Sequence, residues 1–137
     1  MAVFKVVIDT NAILRCISRR SPFAIVLEKL FNGVYELWLT NDILLEYEEK
    51  ITENFSKEIA ELLIGAFILL PNVKKTDVYY HLNLITADED DNKFSDCAFA
   101  ANTHYLVTND KHFNVLKPVI FPAINVILSL QARIDTF

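Results

Sequence analysis

Two aspartates fall where a parallel sheet binds its ligands. Asp9 directly follows the run Val6-Val7-Ile8, and Asp110 comes two residues after Tyr105-Leu106-Val107-Thr108. Ligands of open parallel sheets sit outside the carboxyl ends of the strands, so these two carboxylates share one edge if their strands are neighbours. Each residue alone is equally at home in a turn or at a helix N-cap. Asp96 shifts the balance. It lies within Phe94-Ser95-Asp96-Cys97-Ala98-Phe99-Ala100-Ala101, among the least polar stretches of the chain. Burying a carboxylate there without a partner costs several kcal/mol. Lys93, three residues earlier, offers a surface pair worth only a few tenths of a kcal/mol. A metal ion shared with Asp9 and Asp110 accounts for the placement better.

Glu46 is the fourth candidate, in the first turns of a helix that follows a second strand. Glu46, Glu49 and Glu53 also have the spacing of a solvated helix face. Asp91 is the fifth, at the mouth of the Asp96 helix, where the macrodipole favours an acid in any case. Asp88, Glu89 and Asp90 read as solvated loop acids. Ligands that are all oxygen select hard cations, which makes Mg2+ or Mn2+ the expected metal. Without a metal, converging carboxylates would repel one another. Such a cluster suits metal-assisted phosphodiester hydrolysis, in which the ion acidifies a water and neutralises charge on the phosphate and the leaving oxygen.

Other chemistries are poorly served. With only 2 Gly, the chain contains neither G-x-G-x-x-G nor a phosphate loop. No Ser stands in a G-x-S-x-G elbow, and His81, His104 and His112 have no metal-ligand spacing. A phosphotransferase using Asp9 as nucleophile would commonly show D-x-D, but Asn11 occupies the second position.

The elements that position these acids alternate between strand and helix. Val3 to Ile8 is a β-branched run with the pattern of a strand buried on both faces. Ser21-Pro22 reads as an N-cap and first helical residue, with Gly33 closing that helix. Tyr35 to Leu39 is a second strand. Thr40 or Asn41 then caps a helix to about Glu53, with Ile43, Tyr47 and Ile51 on its apolar side. Ser56 opens a further helix that Pro71 stops, and Asn72 to Lys75 is a short strand. Val78 to Ile85 reads as helical, as does Asn92 to Asn102. Tyr105 to Thr108 and Ile124 to Leu128 complete the strands, before a short C-terminal helix capped by Ser129. This alternation predicts an α/β fold with a largely parallel sheet covered on both faces.

At 137 residues and 53% hydrophobic content, the chain is expected to form one domain over residues 1–137 with a substantial core. No apolar run reaches the ~18 residues of a membrane span, and no secretory signal is visible. Cys16 and Cys97 lie far apart, which suits a reduced, cytoplasmic protein.

At these residues the chain resembles a PIN domain, the nuclease fold of many prokaryotic toxin–antitoxin toxins, including VapC-like ribonucleases. The matching pieces are Val7-Ile8-Asp9-Thr10-Asn11 and Leu45-Glu46-Tyr47-Glu48-Glu49. More specific are Asp90-Asp91-Asn92-Lys93-Phe94-Ser95-Asp96-Cys97-Ala98 and Tyr105-Leu106-Val107-Thr108-Asn109-Asp110. The resemblance implies a five-stranded parallel sheet in a three-layer α/β/α sandwich. It implies Mg2+- or Mn2+-dependent endoribonuclease activity through Asp9, Glu46, Asp96 and Asp110, with Asp91 an additional or alternative ligand. Many PIN toxins open the relevant helix with a single Asp, whereas here Asp91 and Asp96 compete for that role. Thr10, Asn11 and Thr108 would orient ligands or phosphate. The resemblance also implies a small cognate antitoxin and a homodimer.

A net charge of −5 argues at first against an RNA substrate. Setting aside the five candidate site acids leaves 13 acids against 13 Lys and Arg, a neutral remainder. Arg15, Arg19, Arg20, Lys93 and Lys111 are candidate contacts to the RNA backbone, although each also fits a solvated surface position. A PIN-like module that binds RNA or a protein without cutting is the competing expectation.

Overall fold

The computed structural model describes residues 3–18, 20–79, 81–83, 85, 91–108 and 126–127. Arg19, Asp88, Glu89, Asp90, Asp110, Lys111 and the helix expected after Ser129 lie outside the described residues. The first strand, β1 (Phe4–Ile8), ends in Val6, Val7 and Ile8, all fully buried. A run apolar at successive positions is stable as a strand only where both sheet faces are covered. β1 accordingly lies centrally in a parallel sheet of order β3-β2-β1-β4-β5. Its companions are β2 (Tyr35–Leu39), β3 (Val73–Lys75), β4 (Tyr105–Val107) and the two-residue β5 (Val126–Ile127). The helices are α1 (Thr10–Cys16), α2 (Ala24–Phe31), α3 (Asn41–Asn54), α4 (Lys57–Leu69) and α5 (Asn92–Ala100).

Register assigns the two faces. Phe4 pairs with Tyr35 and Val6 with Leu37, so Phe4, Val6 and Ile8 share a face with Tyr35, Leu37 and Leu39. There the buried Tyr35 hydroxyl donates to the Val26 carbonyl of α2 at 2.8 Å. Lys5, Val7, Glu36 and Trp38 point to the other face. The Lys5 ammonium donates to the Ala101 carbonyl after α5 at 2.6 Å and lies 4.4 Å from the centre of the Trp38 ring. Helices therefore cover both faces, as the alternating pattern predicts. The chain builds outward from β1 to β3 and then returns to β4 on the other side of β1. That reversal makes the carboxyl edge between β1 and β4 the switch point at which such sheets form their crevice.

Several elements follow from local signals. Thr40 Oγ1 accepts from the Ile43 N–H at 3.2 Å and Ser56 Oγ from the Ile59 N–H at 3.1 Å, each satisfying an orphan donor at a helix start. Gly33 takes φ +75 just beyond α2, a conformation glycine adopts without steric cost. No helix among the described residues is long and apolar enough to cross a membrane.

Three expectations are corrected. A separate helix, α1, starts immediately after Asp9, where the expected order of elements runs from the first strand to the Ser21 helix without one. Helix α2 begins at Ala24 rather than Pro22. Ser21 instead closes a local turn, its hydroxyl accepting from the Phe23 N–H at 3.1 Å. The described part of 78–85 is irregular rather than helical. Its backbone groups bond to α5 side chains instead of to one another. Leu82 N–H donates to Asp96 Oδ1 at 3.0 Å, and Asn92 pairs with both the N–H and the carbonyl of Ile85 at 2.9 Å. Asn83, at φ +52, turns the chain between these anchors.

Candidate functional site

Asp9 stands at the carboxyl end of β1, 3% exposed, and serves as the N-cap of α1. Its Oδ1 accepts from the Ala12 N–H at 2.8 Å, while Oδ2 accepts from the Thr108 hydroxyl. Its own N–H bonds the Val107 carbonyl of β4 at 3.0 Å. Capping and placement at the sheet edge are thus one geometry, not alternatives. The switch-point crevice holds a carboxylate whose direction is set by two donors.

The next residue brings in the second acid. Thr10, buried at the start of α1, donates its hydroxyl to Glu46 Oε2 on α3. Glu46 Oε1 receives the Lys93 ammonium at 2.6 Å, and the two side chains are only 19% and 24% exposed. Glu46 therefore differs from Glu49 and Glu53, which are exposed as the solvated-face reading of the helix requires. Between them in sequence, Tyr47 is fully buried, and its hydroxyl donates to the Ile8 carbonyl. Burial pushes the Tyr47 phenol well above its usual range, and nearby Cys97, Asp9, Tyr35 and Glu46 reinforce the shift. Asp9 and Glu46 thus act on one buried phenol, one from the end of β1 and the other from α3. Reading Tyr47 as apolar core misses this tie, although a tyrosine tip in a core stripe needs a partner.

Asp96 is buried at 3% exposure, as its apolar helix predicts, but its partner is not Lys93. Oδ1 caps the Leu82 N–H and Oδ2 lies 3.3 Å from His81 Nδ1. Lys93 reaches across to Glu46 instead. Three residues along a helix set the two side chains on neighbouring positions, but burial turns Asp96 toward the 81–85 segment. His81 and Asn92 carry no signal in the sequence, because their partners are backbone groups or a distant carboxylate. Asp91 is the N-cap residue of α5, half-buried, with no capping hydrogen bond from its side chain. Asn11 and Arg15 are exposed on α1, and Arg20 is exposed before α2.

Glu46, Lys93 and Asp96 line a cleft of about 1150 Å³ between the start of α3, the 76–83 segment and α5. Asp42, Glu49 and Asp77 add negative charge to it, and Lys50 adds positive. Among the described residues no group of three His, Cys, Asp or Glu side chains converges as a metal cage. Both cysteines are free and buried beside the acids. Burial first, then the charge of Asp9, raises the Cys16 thiol to about 12; burial and Asp96 raise Cys97 to about 12. Neither thiol is a nucleophile at neutral pH.

The α/β architecture agrees with what comparison with known proteins finds. Residues 5–112 match the sequence profile of the PIN domain. The chain belongs to the PIN-domain family. The matched span takes in Asp9, Glu46, Asp91, Asp96 and Asp110. A chain of the crystal structure of VapBC2 from Rickettsia felis, bound to a DNA fragment from their promoter, is similar in fold to this PIN domain. The TM-score is 0.61 at 17% identity, over 90% of this chain and 98% of that one. No curated protein matches the sequence.

Proposed function

We propose that this PIN domain is a Mg2+- or Mn2+-dependent endoribonuclease and the toxin of a type II toxin–antitoxin pair. One observation carries the reading. Asp9, buried at the switch point, is oriented by Thr108 and adjoins Thr10, whose hydroxyl holds Glu46. Family membership supports a nuclease, and the fold shared with the VapBC2 chain supports an antitoxin partner. A homodimer and a cytoplasmic setting belong to the same reading, the latter suited to two reduced cysteines.

The donors fit a hard divalent ion. They are oxygens only, and a cation, the Lys93 ammonium, is already drawn to Glu46 at 2.6 Å. Such an ion would acidify the attacking water and offset charge on the phosphate and the leaving oxygen. Asp9 is assigned the central ligand, because the Ala12 N–H and the Thr108 hydroxyl fix its direction. Glu46, steadied by Thr10, is assigned the second. Asp96 is less suited than its burial suggests. Its oxygens meet Leu82 and His81, on the far wall from Asp9 and the Thr10–Glu46 tie, so its work is to fasten that wall. The third ligand role passes to Asp91, nearer the mouth of α5, and Asp110 is assigned the fourth. Asn11, Lys93 and Lys111 are assigned contacts to the phosphate backbone.

Purified protein with Mn2+ is expected to cut single-stranded RNA, and EDTA to abolish cutting while lowering the melting temperature. Cleavage that survives chelation would contradict the metal-dependent reading. The competing module that binds RNA without cutting predicts RNA retention with no Mn2+ uptake at all.

A further inference from the structure

We infer that Lys93 is the metal pocket's internal counter-ion, holding Glu46 in the metal-free protein and competing with the divalent ion for it. The inference rests on the metal-dependent reading above and adds a positioning residue to it. Its ground is the geometry around one carboxylate. Glu46 has two oxygens, and both are claimed: Oε2 by the Thr10 hydroxyl and Oε1 by the Lys93 ammonium at 2.6 Å. Lys93 reaches Glu46 across 47 residues of sequence, while Asp96 on its own helix, three positions away, is left to other partners.

The physical need is clear. Glu46 is 19% exposed and shares its surroundings with Asp9, which acts on the same buried tyrosine. Two carboxylates held near each other with little water repel, and a cation must offset them. Asp9 accepts from the Ala12 N–H and the Thr108 hydroxyl on its own side. Lys93 supplies the positive charge on the Glu46 side. A divalent ion at Glu46 would supply the same charge, so ion and ammonium repel each other across one carboxylate. Metal entry therefore weakens the hold of Lys93 on Oε1, and the hold of Lys93 weakens metal binding. Because Lys93 lines the 1150 Å³ cleft, its ammonium has room to turn away without unfolding α5.

The test is the Mn2+ dissociation constant, read by calorimetry in the absence of RNA. Lys93→Met keeps the apolar stem and removes the competing charge. It is expected to bind Mn2+ about five- to tenfold more tightly than wild type, and to show a larger melting-temperature rise on saturation. Lys93→Arg restores a cation and is expected to return the constant to near the wild-type value. In a Glu46→Gln background the effect of Lys93→Met is expected to vanish, since the negative charge that ion and ammonium contest is gone. Unchanged or weaker binding by Lys93→Met, with wild type binding normally, would overturn this inference alone. Failure of wild type and Lys93→Met alike to bind Mn2+ would overturn the metal-dependent reading together with it.

Discussion

Asp9→Asn is expected to lower RNA cleavage by at least about a hundredfold while leaving the protein folded. Asparagine is as good an N-cap as aspartate, so the bond from the Ala12 N–H survives through the amide oxygen. The loss falls on the second oxygen, where an amide nitrogen replaces the acceptor that now meets the Thr108 hydroxyl. That exchange costs about 1 kcal/mol of stability, small beside the removal of a full negative charge from the switch point. Cleavage assays alongside thermal melts separate the two effects. A variant that cuts like wild type would remove Asp9 from the mechanism, and one that fails to fold would make its role structural.

The second large effect concerns the cleft wall. Asn92 is 7% exposed, and its amide bonds both the N–H and the carbonyl of Ile85 at 2.9 Å. Ile85 is itself 1% exposed, so neither backbone group has ready access to water. Asn92→Ala orphans both, at about 1–3 kcal/mol each, and is expected to cost about 2–6 kcal/mol in all. Asn41→Ala, at an exposed position on the same cleft, is expected to stay within about 0.5 kcal/mol. Urea midpoints of the two variants make the comparison. Equal midpoints would mean that the 81–85 segment is held by something other than α5.

The contrast between these residues shows where a sequence reveals structure and where it does not. The sheet is legible because continuous β-branched runs such as Val6-Val7-Ile8 are too short for a buried helix and suit a strand covered on both faces. Helices α3 and α4 are legible at their starts, because Thr40 and Ser56 are caps whose chemistry is local. Asp9 and Glu46 are legible as candidates, since each follows a strand within a few residues. The partners are not legible. Nothing within a few residues of Lys93 says that it crosses to Glu46 rather than pairing along its own helix. The expected helix over 78–85 fails for the same reason. The backbone groups of Leu82 and Ile85 are satisfied by Asp96 and Asn92, which periodicity within the segment does not register. Asp96 itself is correctly expected to be buried, yet a buried acid has two ways to be satisfied, and here backbone and a histidine meet it.

A crystal soaked in Mn2+ and recorded for anomalous scattering tests the metal site at its root. The metal peak is expected at the carboxyl end of β1, within bonding distance of an Asp9 oxygen, with Glu46 turned toward it and Lys93 withdrawn. A peak elsewhere, or none at a concentration that supports cutting, would contradict the claim that acids from separate elements converge there to bind a hard ion.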